Sequence, residues 1–522
     1  MRIFSPVKWL PPLPLVSSAV ASGVILALAF PRTSLSFLVF VAFLPVMVVL
    51  NRRPHPRSVF FKTGYLFGVA FFLGHLWWIV RLVPSSSITI PWLMAPALIL
   101  LVLYLSVYPA LVFWLLRVLG RGVGVTSIFV VPPLWALTEV FRSSGELGFA
   151  WGAVGYALAP YPSLIQLAAV VGLFGVGALV MLVNMLWSRV FLARGLRAKA
   201  GYLLLGGGLI AVLSLHGNRS IVKVSERSGG EPFTIAVAQP NVDLAIKWDP
   251  AYTDSTFRLI ERLCRRAAPM EPKMIVFPET SAPVYIRYRP QYMNLLLGIA
   301  REMRMAVYIG FLDGRYDGPG DSLNVYNSCA LFDVDGQFLQ YDKTHLLPFG
   351  EAIPFASKYP RLKKLDFGQA NFQPGPSREL AASSVGKIGP MICFESIFPD
   401  VARRLVGGGA EILVNITNDG WFGFTPGPYQ HNEMAIFRAV ENGRYLVRSA
   451  NTGVSMVVDP VGRVVSALGL NEEGILIEDV ELMSSQTIYT RLGNTPLIVA
   501  AILFVGVGTL AGRILTNGAR ES

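Results

Sequence analysis

The stretch IGPMICFE at residues 388–395 is a short apolar run that ends in polar residues. MIVFPE at 274–279 and EILVNITND at 411–419 have the same form. Apolar runs of this length, closed by polar or turn residues, predict strands that are buried inside a sheet. These three stretches therefore indicate a layered α/β domain, in which helices cover the sheets.

The sequence around these stretches alternates between strand-like and helix-like segments. The further predictions are strands at 232–239 and 306–311, hairpins at 325–343 and 453–468, and helices at 252–267 and 290–304. The first hairpin has Asp335-Gly336 at its turn, a pair that is typical of tight hairpin loops. The alternation extends the α/β domain over the segment from 217 to 494.

Three residues with reactive side chains follow predicted strands, namely Glu279, Lys343 and Cys393. Ligands of α/β sheets bind beyond the carboxyl ends of the strands. A cysteine thiol becomes a nucleophile when a base or a cation activates it, and Glu279 and Lys343 are of those two types. The segment after Cys393 predicts a turn into a helix, whose N-terminus would favour the thiolate. The alternative is that Cys393 is a core residue and Lys343 a solvated surface charge.

The composition of the whole chain indicates a membrane protein. Of the 522 residues, 53% are hydrophobic and 15% are charged, whereas soluble proteins have about 25% charged residues. The net charge of +12 comes from basic residues that mostly flank apolar runs. Because nucleic-acid binders interleave basic with aromatic residues, we expect no nucleic acid as a partner and attribute the charge to membrane orientation.

Eight stretches are apolar over roughly the 20 residues that a membrane-spanning helix needs. They lie at 13–30, 34–50, 58–80, 91–116, 124–141, 163–188, 201–216 and 495–512. We therefore predict a membrane domain of seven helices at 1–216, a catalytic domain at 217–494, and a last transmembrane helix with a short tail at 495–522. The start of the chain also has features of a signal peptide, but its long apolar run and the spans that follow favour a retained helix.

Lysine and arginine are distributed unevenly along the predicted loops. With the N-terminus inside, the cytoplasmic segments carry fourteen of them near span ends, and the short outer loops carry three, Arg32, Arg81 and Arg142. Positive charge marks the cytoplasmic side of a membrane. The chain is therefore predicted to be a multi-pass protein of the cytoplasmic (inner) membrane, with residues 217–494 on the periplasmic side.

Cysteine is scarce, with Cys264, Cys329 and Cys393 as its three positions. Their spacing matches neither a disulfide framework nor a zinc site. The sequence also lacks a convincing cluster of metal ligands and a glycine-rich phosphate loop outside the apolar runs. We therefore expect no metal and no cofactor.

Three motifs resemble, in their order and spacing, the Glu, Lys and Cys motifs of the nitrilase or carbon-nitrogen hydrolase superfamily. They are FPET (277–280), KTHLLPFGE (343–351) and ICFES (392–396), and NDGWFG (418–423) and RAVENGRYLVRSANTG (438–453) also resemble that superfamily. With seven apolar stretches before this domain and one after it, essentially the whole chain resembles the apolipoprotein N-acyltransferase family. The resemblance implies an αββα sandwich, with Glu279 as general base, Lys343 as oxyanion stabiliser and Cys393 as nucleophile.

The resemblance also implies further residues of the active site. Glu351 and Glu395 match acidic positions that support the site in the family, although each could instead pair with a nearby cation or backbone amide. Trp248 falls where the family has an active-site tryptophan, with a strand-edge or interfacial role as the alternative. Phe394 stands where many members have Tyr, so any hydrogen bond of that Tyr hydroxyl is missing from this chain.

The reaction that the resemblance implies is a ping-pong acyl transfer. Cys393 would take an acyl chain from a membrane phospholipid as a thioester, and the α-amino group of the diacylglyceryl-modified N-terminal cysteine of an apolipoprotein would receive it. The expected partners are thus the bilayer, a phospholipid and an apolipoprotein, with a monomeric enzyme. The alternatives are a membrane-tethered amidase or nitrilase, and a non-catalytic transporter or sensor. A small amide substrate needs no such scaffold of spans, and a transporter would need more ionisable residues within them.

Overall fold

A computed structural model of the chain describes residues 10–30, 34–82, 91–119, 126–226, 230–316, 322–365, 370–376 and 382–507. An N-terminal helical part precedes an α/β part. The helices of the first part are α1 (Leu13–Leu28), α2 (Leu44–Asn51), α3 (Arg57–Leu76), α4 (Met94–Leu119), α5 (Thr126–Arg142), α6 (Pro162–Ile165), α7 (Ala168–Val190) and α8 (Leu196–Glu226).

Several helices have the length and composition of membrane spans. Among the described residues, four are long and apolar enough to cross a membrane, at Arg57–Arg81, Met94–Leu119, Ala168–Val190 and Leu196–Val224. Shorter apolar helices lie at Leu13–Leu28, Ser36–Asn51 and Thr495–Val507. Helices thus occupy the predicted apolar stretches as far as these are described, and the number of spans stays a prediction.

Two of the predicted spans differ in detail from the structure. The stretch 34–50 is a 3-10 turn, Ser36–Phe40, followed by α2. Pro45 lies in the first turn of α2, where proline is tolerated, but it would break a helix that continued through it. The stretch 201–216 lies within α8, which continues to Glu226, so the boundary predicted at 216 falls inside a helix.

The α/β part contains twelve strands and six helices among the described residues. The strands are β1 (Phe233–Gln239), β2 (Met274–Val276), β3 (Ala282–Tyr285), β4 (Ala306–Arg315), β5 (Asn324–Phe332), β6 (Phe338–Asp342), β7 (Ile388–Ile392), β8 (Ile412–Thr417), β9 (Leu446–Ala450), β10 (Ser455–Val458), β11 (Val464–Leu468) and β12 (Gly474–Val480). The helices are α9 (Leu244–Lys247), α10 (Thr253–Ala267), α11 (Pro290–Met303), α12 (Pro399–Gly407), α13 (Gly427–Asn442) and α14 (Ile488–Leu492).

The strands form two mixed sheets. The first has the order β12-β1-β2-β4-β5-β6, and β3 pairs with β4. The second has the order β11-β10-β9-β8-β7. β1, β2 and β4 are parallel in the first sheet, as are β7, β8 and β9 in the second.

The two sheets pack face to face, with a helical layer outside each of them. Along β1, Ile235 and Val237 enter the core between the sheets, whereas Ala236 and Ala238 enter the core beneath α10 and α11. This two-residue alternation is the geometry of a strand with both faces covered. The order helix, sheet, sheet, helix confirms the predicted αββα sandwich.

The helical part and the α/β part share one hydrophobic core. The outer face of the second sheet and helices α12 and α13 pack in the same apolar cluster as α1 to α5 and α7. α7 is interrupted at Gly172, which has φ 68. A Cβ at this glycine would lie 2.4 Å from a ring carbon of Tyr489 in α14, so the close approach of the two parts depends on a residue without a side chain.

Candidate active site

The candidate site lies where the carboxyl ends of strands from both sheets meet. β2 and β6 run in the same direction, because two antiparallel pairs separate β6 from β4 and β4 is parallel to β2. Glu279 follows β2, Lys343 follows β6, and Cys393 follows β7 of the other sheet. Lys343 Nζ lies 3.7 Å from Glu279 Oε1, and both charges act on the Cys393 thiol. The structure therefore brings the three predicted residues together.

The Glu279 carboxylate is fixed at both of its oxygens. Oε1 accepts a hydrogen bond of 2.7 Å from the side-chain amide of Asn327 on β5. Oε2 accepts one of 3.0 Å from the backbone N–H of Asn418, which follows β8. One partner comes from each sheet, so the sandwich itself sets the direction of the carboxylate.

The Lys343 ammonium is buried between two carboxylates, with 1% of the side chain exposed. Nζ donates to Glu351 Oε1 at 2.8 Å and faces Glu279 on its other side. Burial alone would lower the pKa of Lys343, but the carboxylates of Glu351 and Glu279 raise it above its ordinary value. Lys343 is therefore a permanent cation within the site, and the alternative of a solvated surface charge is wrong.

Cys393 occupies a left-handed backbone conformation, with φ 49. Its carbonyl oxygen accepts a hydrogen bond of 3.0 Å from Ser396 Oγ. Burial and the nearby Glu279 carboxylate raise the pKa of the Cys393 thiol, although Lys343 opposes them. The expectation that a helix N-terminus favours the thiolate is wrong, because residues 393–397 form a 3-10 turn and α12 begins only at Pro399. A raised pKa favours the thiol over the thiolate, so nucleophilic attack by Cys393 would require a base.

Glu351 ties the segment after Lys343 back to the site. Its Oε1 accepts from Lys343 Nζ and, at 3.1 Å, from the Asn327 side chain, which also binds Glu279. Its Oε2 accepts from the backbone N–H of Leu347 at 2.8 Å. Asn327 and Glu351 thus fix the Glu279 carboxylate and the Lys343 ammonium relative to each other.

Glu395 joins the turn that carries Cys393 to the segment that carries Lys343. Its Oε1 accepts from the Tyr341 hydroxyl at 2.8 Å, the Thr344 N–H at 2.7 Å, the Thr344 hydroxyl at 2.8 Å and the His345 N–H at 3.1 Å. Its Oε2 accepts from the Ile392 N–H at 2.8 Å. The side chain is 0% exposed. The alternative sequence interpretation, pairing with backbone amides, therefore describes its contacts.

The two predicted aromatic residues lie on different sides of the site. Phe394 is buried and packs edge to face on Phe398, with ring centroids 5.1 Å apart. Trp248 follows α9, with Lys247 Nζ 5.8 Å from its ring centroid. The buried indole N–H of Trp248 has no protein partner among the described residues. Trp248 thus lies next to Lys247, and Lys247 contacts the site directly.

Lys247 is a site residue that the sequence analysis did not identify. Its Nζ donates to the backbone carbonyl of Glu279 at 2.9 Å, and the side chain is buried. Burial lowers the pKa of Lys247 to about 8, although Glu279 and Cys393 oppose this shift. The one signal in the sequence was that Lys247 directly precedes Trp248, a residue that the family resemblance assigns to the site.

A buried polar cluster lies beneath the Cys393 turn, and two of its members, Asp419 and Arg448, belong to the motifs at 418–423 and 438–453, to which the sequence analysis gave no role. Asp419 Oδ2 accepts from Arg448 at 2.7 Å, and Asp419 Oδ1 lies 2.9 Å from His431 Nδ1. His431 Nε2 lies 3.2 Å from the Cys393 carbonyl oxygen and 3.0 Å from Ser396 Oγ. Although burial opposes it, Arg448 and His431 hold the pKa of Asp419 below its ordinary value. The cluster supports the left-handed backbone of Cys393.

The helical part contacts this cluster directly. The Trp151 ring stacks on the His431 ring, with centroids 5.6 Å apart. Gln430 Oε1, one residue earlier on α13, accepts from the indole N–H groups of Trp78 at 3.0 Å and Trp151 at 2.8 Å. The Tyr156 hydroxyl donates to the carbonyl that ends the 3-10 turn at residue 397, at 3.0 Å. Short turns and a loop between the apolar helices thus lie behind the segment that carries Cys393.

Among the described ranges, no group of three or more His, Cys, Asp or Glu side chains is placed to hold a metal ion. The expectation of no metal and no cofactor stays a prediction. The groups at the site are those of covalent acyl chemistry, namely a thiol, a carboxylate base and a fixed cation.

The chain is similar to known proteins over nearly its whole length. A carbon-nitrogen hydrolase model matches residues 234–489, and a model of the apolipoprotein N-acyltransferase N-terminal domain matches residues 22–186. The apolipoprotein N-acyltransferase of Geobacter metallireducens is 36% identical over 91% of both chains, and that of Allorhizobium ampelinum is 34% identical over 88% of both. That of Gloeobacter violaceus is 32% identical over 95% of this chain and 94% of the relative.

Two solved structures resemble the α/β part. An amidase of the nitrilase superfamily from Nesterenkonia AN1 is 22% identical, with a TM-score of 0.37, and covers 48% of this chain and 92% of its own. A carbon-nitrogen hydrolase from Helicobacter pylori G27 is 18% identical, with a TM-score of 0.39, and covers 48% of this chain and 90% of its own. The full-length relatives and the two family models decide the assignment, and the chain belongs to the apolipoprotein N-acyltransferase family.

Proposed function

We propose that this chain transfers an acyl chain from a membrane phospholipid to the α-amino group of the lipid-modified N-terminal cysteine of an apolipoprotein. The observation that carries the proposal is the convergence of Glu279, Lys343 and Cys393 in a domain whose core is continuous with apolar helices. A nucleophile, a base and a cation suffice for acyl transfer through a thioester. The apolar helices place that chemistry beside lipid.

In the first half-step, Cys393 Sγ attacks the ester carbonyl carbon of the phospholipid. Glu279 accepts the thiol proton as the carbon–sulfur bond forms, and the ammonium of Lys343 faces the developing oxyanion. The carbon–oxygen bond then breaks, and Glu279 returns the proton to the departing lysophospholipid. The raised pKa of the thiol makes the base necessary, because little thiolate exists beforehand.

In the second half-step, the amine of the acceptor attacks the thioester. Glu279 removes a proton from the amine as the carbon–nitrogen bond forms, and it returns that proton to the sulfur as the carbon–sulfur bond breaks, so the thiol is restored. Transfer is favoured over hydrolysis because both substrates are lipid-anchored, so the membrane raises their local concentration. A site that opens toward acyl chains also limits the access of water to the thioester.

The auxiliary residues act in this scheme by holding the reactive groups. Glu351 positions Lys343 and shares Asn327 with Glu279. Glu395 holds the Lys343 segment against the Cys393 turn. Phe394 contributes packing, and Trp248 borders the site next to Lys247.

The proposal includes the placement of the protein in the membrane. The chain up to the end of α8 at Glu226 and residues 495–522 form the membrane part, with seven spans and one, and the α/β part between them forms the catalytic domain on the periplasmic side of the inner membrane. The excess of Lys and Arg in the cytoplasmic segments supports this sidedness. Of the three outer-loop cations, Arg142 is buried and donates to the carbonyls of Phe149 and Trp151, so it has a structural role as well. The enzyme works as a monomer.

A comparison of acceptors tests the proposed reaction. Purified full-length protein is acylated with phospholipid and then given either a diacylglyceryl-modified peptide or the same peptide without the lipid, and the peptide mass is measured. The proposal expects one added acyl chain on the lipid-modified peptide at a much higher rate. Hydrolysis of a small amide, without peptide acylation, would favour a membrane-tethered amidase. A protein inert toward phospholipid, peptide and amide would favour the non-catalytic alternative.

A further inference from the structure

A short segment before α10, which belongs to none of the three catalytic motifs, is held next to the site by side-chain hydrogen bonds. The Asn451 side chain accepts from the Val242 N–H at 3.0 Å and donates to the Val242 carbonyl at 2.7 Å. Asp243 caps the following helix α9, because its carboxylate accepts from the Ala245 N–H at 2.8 Å. This segment, residues 241–248, therefore has a fixed position relative to the end of β9.

The segment places a buried ammonium against the backbone of Glu279. Lys247 is 4% exposed, and its Nζ donates to the Glu279 carbonyl at 2.9 Å. An ammonium has three donors, and a buried charge without anionic neighbours is costly. The side chains of Glu279 and Cys393 are the groups that act on its charge. The charge of Lys247 is thus offset by Glu279 and Cys393, the two groups that exchange a proton in the proposed reaction.

The backbone at Glu279 needs such a support. Thr280, the next residue, has φ 48, a left-handed conformation that costs a non-glycine residue free energy. On one side of this turn Gly310 leaves room, because a Cβ there would lie 2.6 Å from the Thr280 nitrogen and 2.7 Å from the Glu279 Cα. Lys247 binds the carbonyl of the same turn. Loss of this hydrogen bond would free the peptide that carries the base.

We propose that Lys247 is a positioning residue for Glu279, because its buried ammonium holds the backbone carbonyl of that residue in place. The inference rests on the proposed role of Glu279 as general base. Without Lys247, this carbonyl loses its donor and the strained turn at Glu279 and Thr280 loses one of its supports.

The test is the rate of acyl-enzyme formation in full-length protein with phospholipid as the only substrate. Single-turnover acylation of Cys393 is followed by mass at neutral pH. In Lys247→Met we expect a fall of about 10-fold to 100-fold, because the base loses the donor that positions its backbone. A role in stability alone would lower the amount of folded protein without lowering the rate per folded molecule.

Two further variants test the hydrogen bond and guard against misfolding. Lys247→Arg and Lys247→Gln each retain a donor, so both should recover part of the rate that Lys247→Met loses. Lys273→Met, which removes an exposed lysine of the same domain, is the matched control and should behave as wild type. The inference is overturned if the folded Met variant acylates at the wild-type rate, or if neither the Arg nor the Gln variant acylates faster than the Met variant. A wild-type protein that never forms the adduct would instead refute the proposed function itself.

Discussion

Replacing Glu395 by Gln should slow acyl-enzyme formation without removing any group that touches the substrate. In the native site, the four hydrogen bonds to Oε1 come from Tyr341, Thr344 and His345, and the one to Oε2 comes from the Ile392 N–H. The Gln carbonyl oxygen can take the place of Oε1 only. Its NH₂ group then faces the Ile392 N–H, so two donors meet in a site that is closed to water.

The size of the effect follows from these contacts. A hydrogen bond to a charged group contributes about 1.5–3 kcal/mol and a neutral one about 0.5–1.5 kcal/mol. Losing one bond at about 2 kcal/mol and weakening four by about 1 kcal/mol each therefore costs about 6 kcal/mol. Each 1.36 kcal/mol that reaches the transition state is about tenfold in rate. If between one third and two thirds of this cost is felt as a displacement of Lys343 from Cys393, the acylation rate falls by roughly 30-fold to 10³-fold.

The assay is single-turnover acylation of Cys393 by phospholipid in detergent-solubilised full-length protein. Glu302→Gln makes the same chemical change at a side chain that is 62% exposed, and it should stay within about twofold of wild type because exposed pairs contribute little. A folded Glu395→Gln protein that acylates within about threefold of wild type would refute the positioning role inferred from Glu395.

Three further predictions concern the chemistry and the topology. Glu279→Gln should slow acyl-enzyme formation by about 10²-fold to 10⁴-fold, because it removes the base. Lys343→Met should slow it by about 10²-fold to 10³-fold, because it removes an oxyanion partner. A Glu279→Gln protein that acylates normally and fails only with acceptor would place the base in the second half-step alone. Alkylation of resting Cys393 by iodoacetamide should rise with pH through the neutral range, because its raised pKa keeps the thiol protonated there, whereas a plateau below about pH 8 would indicate a preformed thiolate. A reporter fused near Ser228 should be active only outside the cytoplasm and one at Ser522 only inside, and the reverse pattern would overturn the sidedness.

The sequence predicts the α/β layering because most strands carry their own signal. The stretches at 274–279, 388–395 and 411–419 are apolar runs with polar ends, and β2, β7 and β8 lie within them. β12 was not predicted, because it pairs with β1 over a register that joins Phe233 to Val480, and such a long-range contact leaves little local pattern. β9 was not predicted because Arg448 and Ser449 interrupt its apolar pattern, although both are buried in the centre of the second sheet.

The site was predictable where a reactive side chain directly follows a strand. Glu279, Lys343 and Cys393 meet this condition, and their motifs add the order and spacing. Lys247 does not, because it ends a short helix. Its partner is a backbone carbonyl 32 residues further along the chain, which local sequence does not indicate. Nor does His431 meet this condition, since its contact with the Cys393 turn depends on how α13 packs against the second sheet and the apolar helices.

The electrostatic state of the nucleophile could not be obtained from local sequence. The turn after Cys393 predicted a helix N-terminus and hence a stabilised thiolate. In the structure, burial and the Glu279 carboxylate outweigh Lys343 and raise the pKa of the thiol. The pKa of this thiol depends on the positions of groups that follow three different strands, and these positions are defined only in the folded chain.

The most direct test of the central claim is the mass of the peptide that contains Cys393 after the wild-type protein has been incubated with phospholipid alone. We predict an increase equal to one acyl chain, lost when a diacylglyceryl-modified peptide is added and absent from Cys393→Ala. An adduct that persists in Cys393→Ala, or acyl transfer that Cys393→Ala performs at the wild-type rate, would contradict the assignment of Cys393 as the acylated nucleophile.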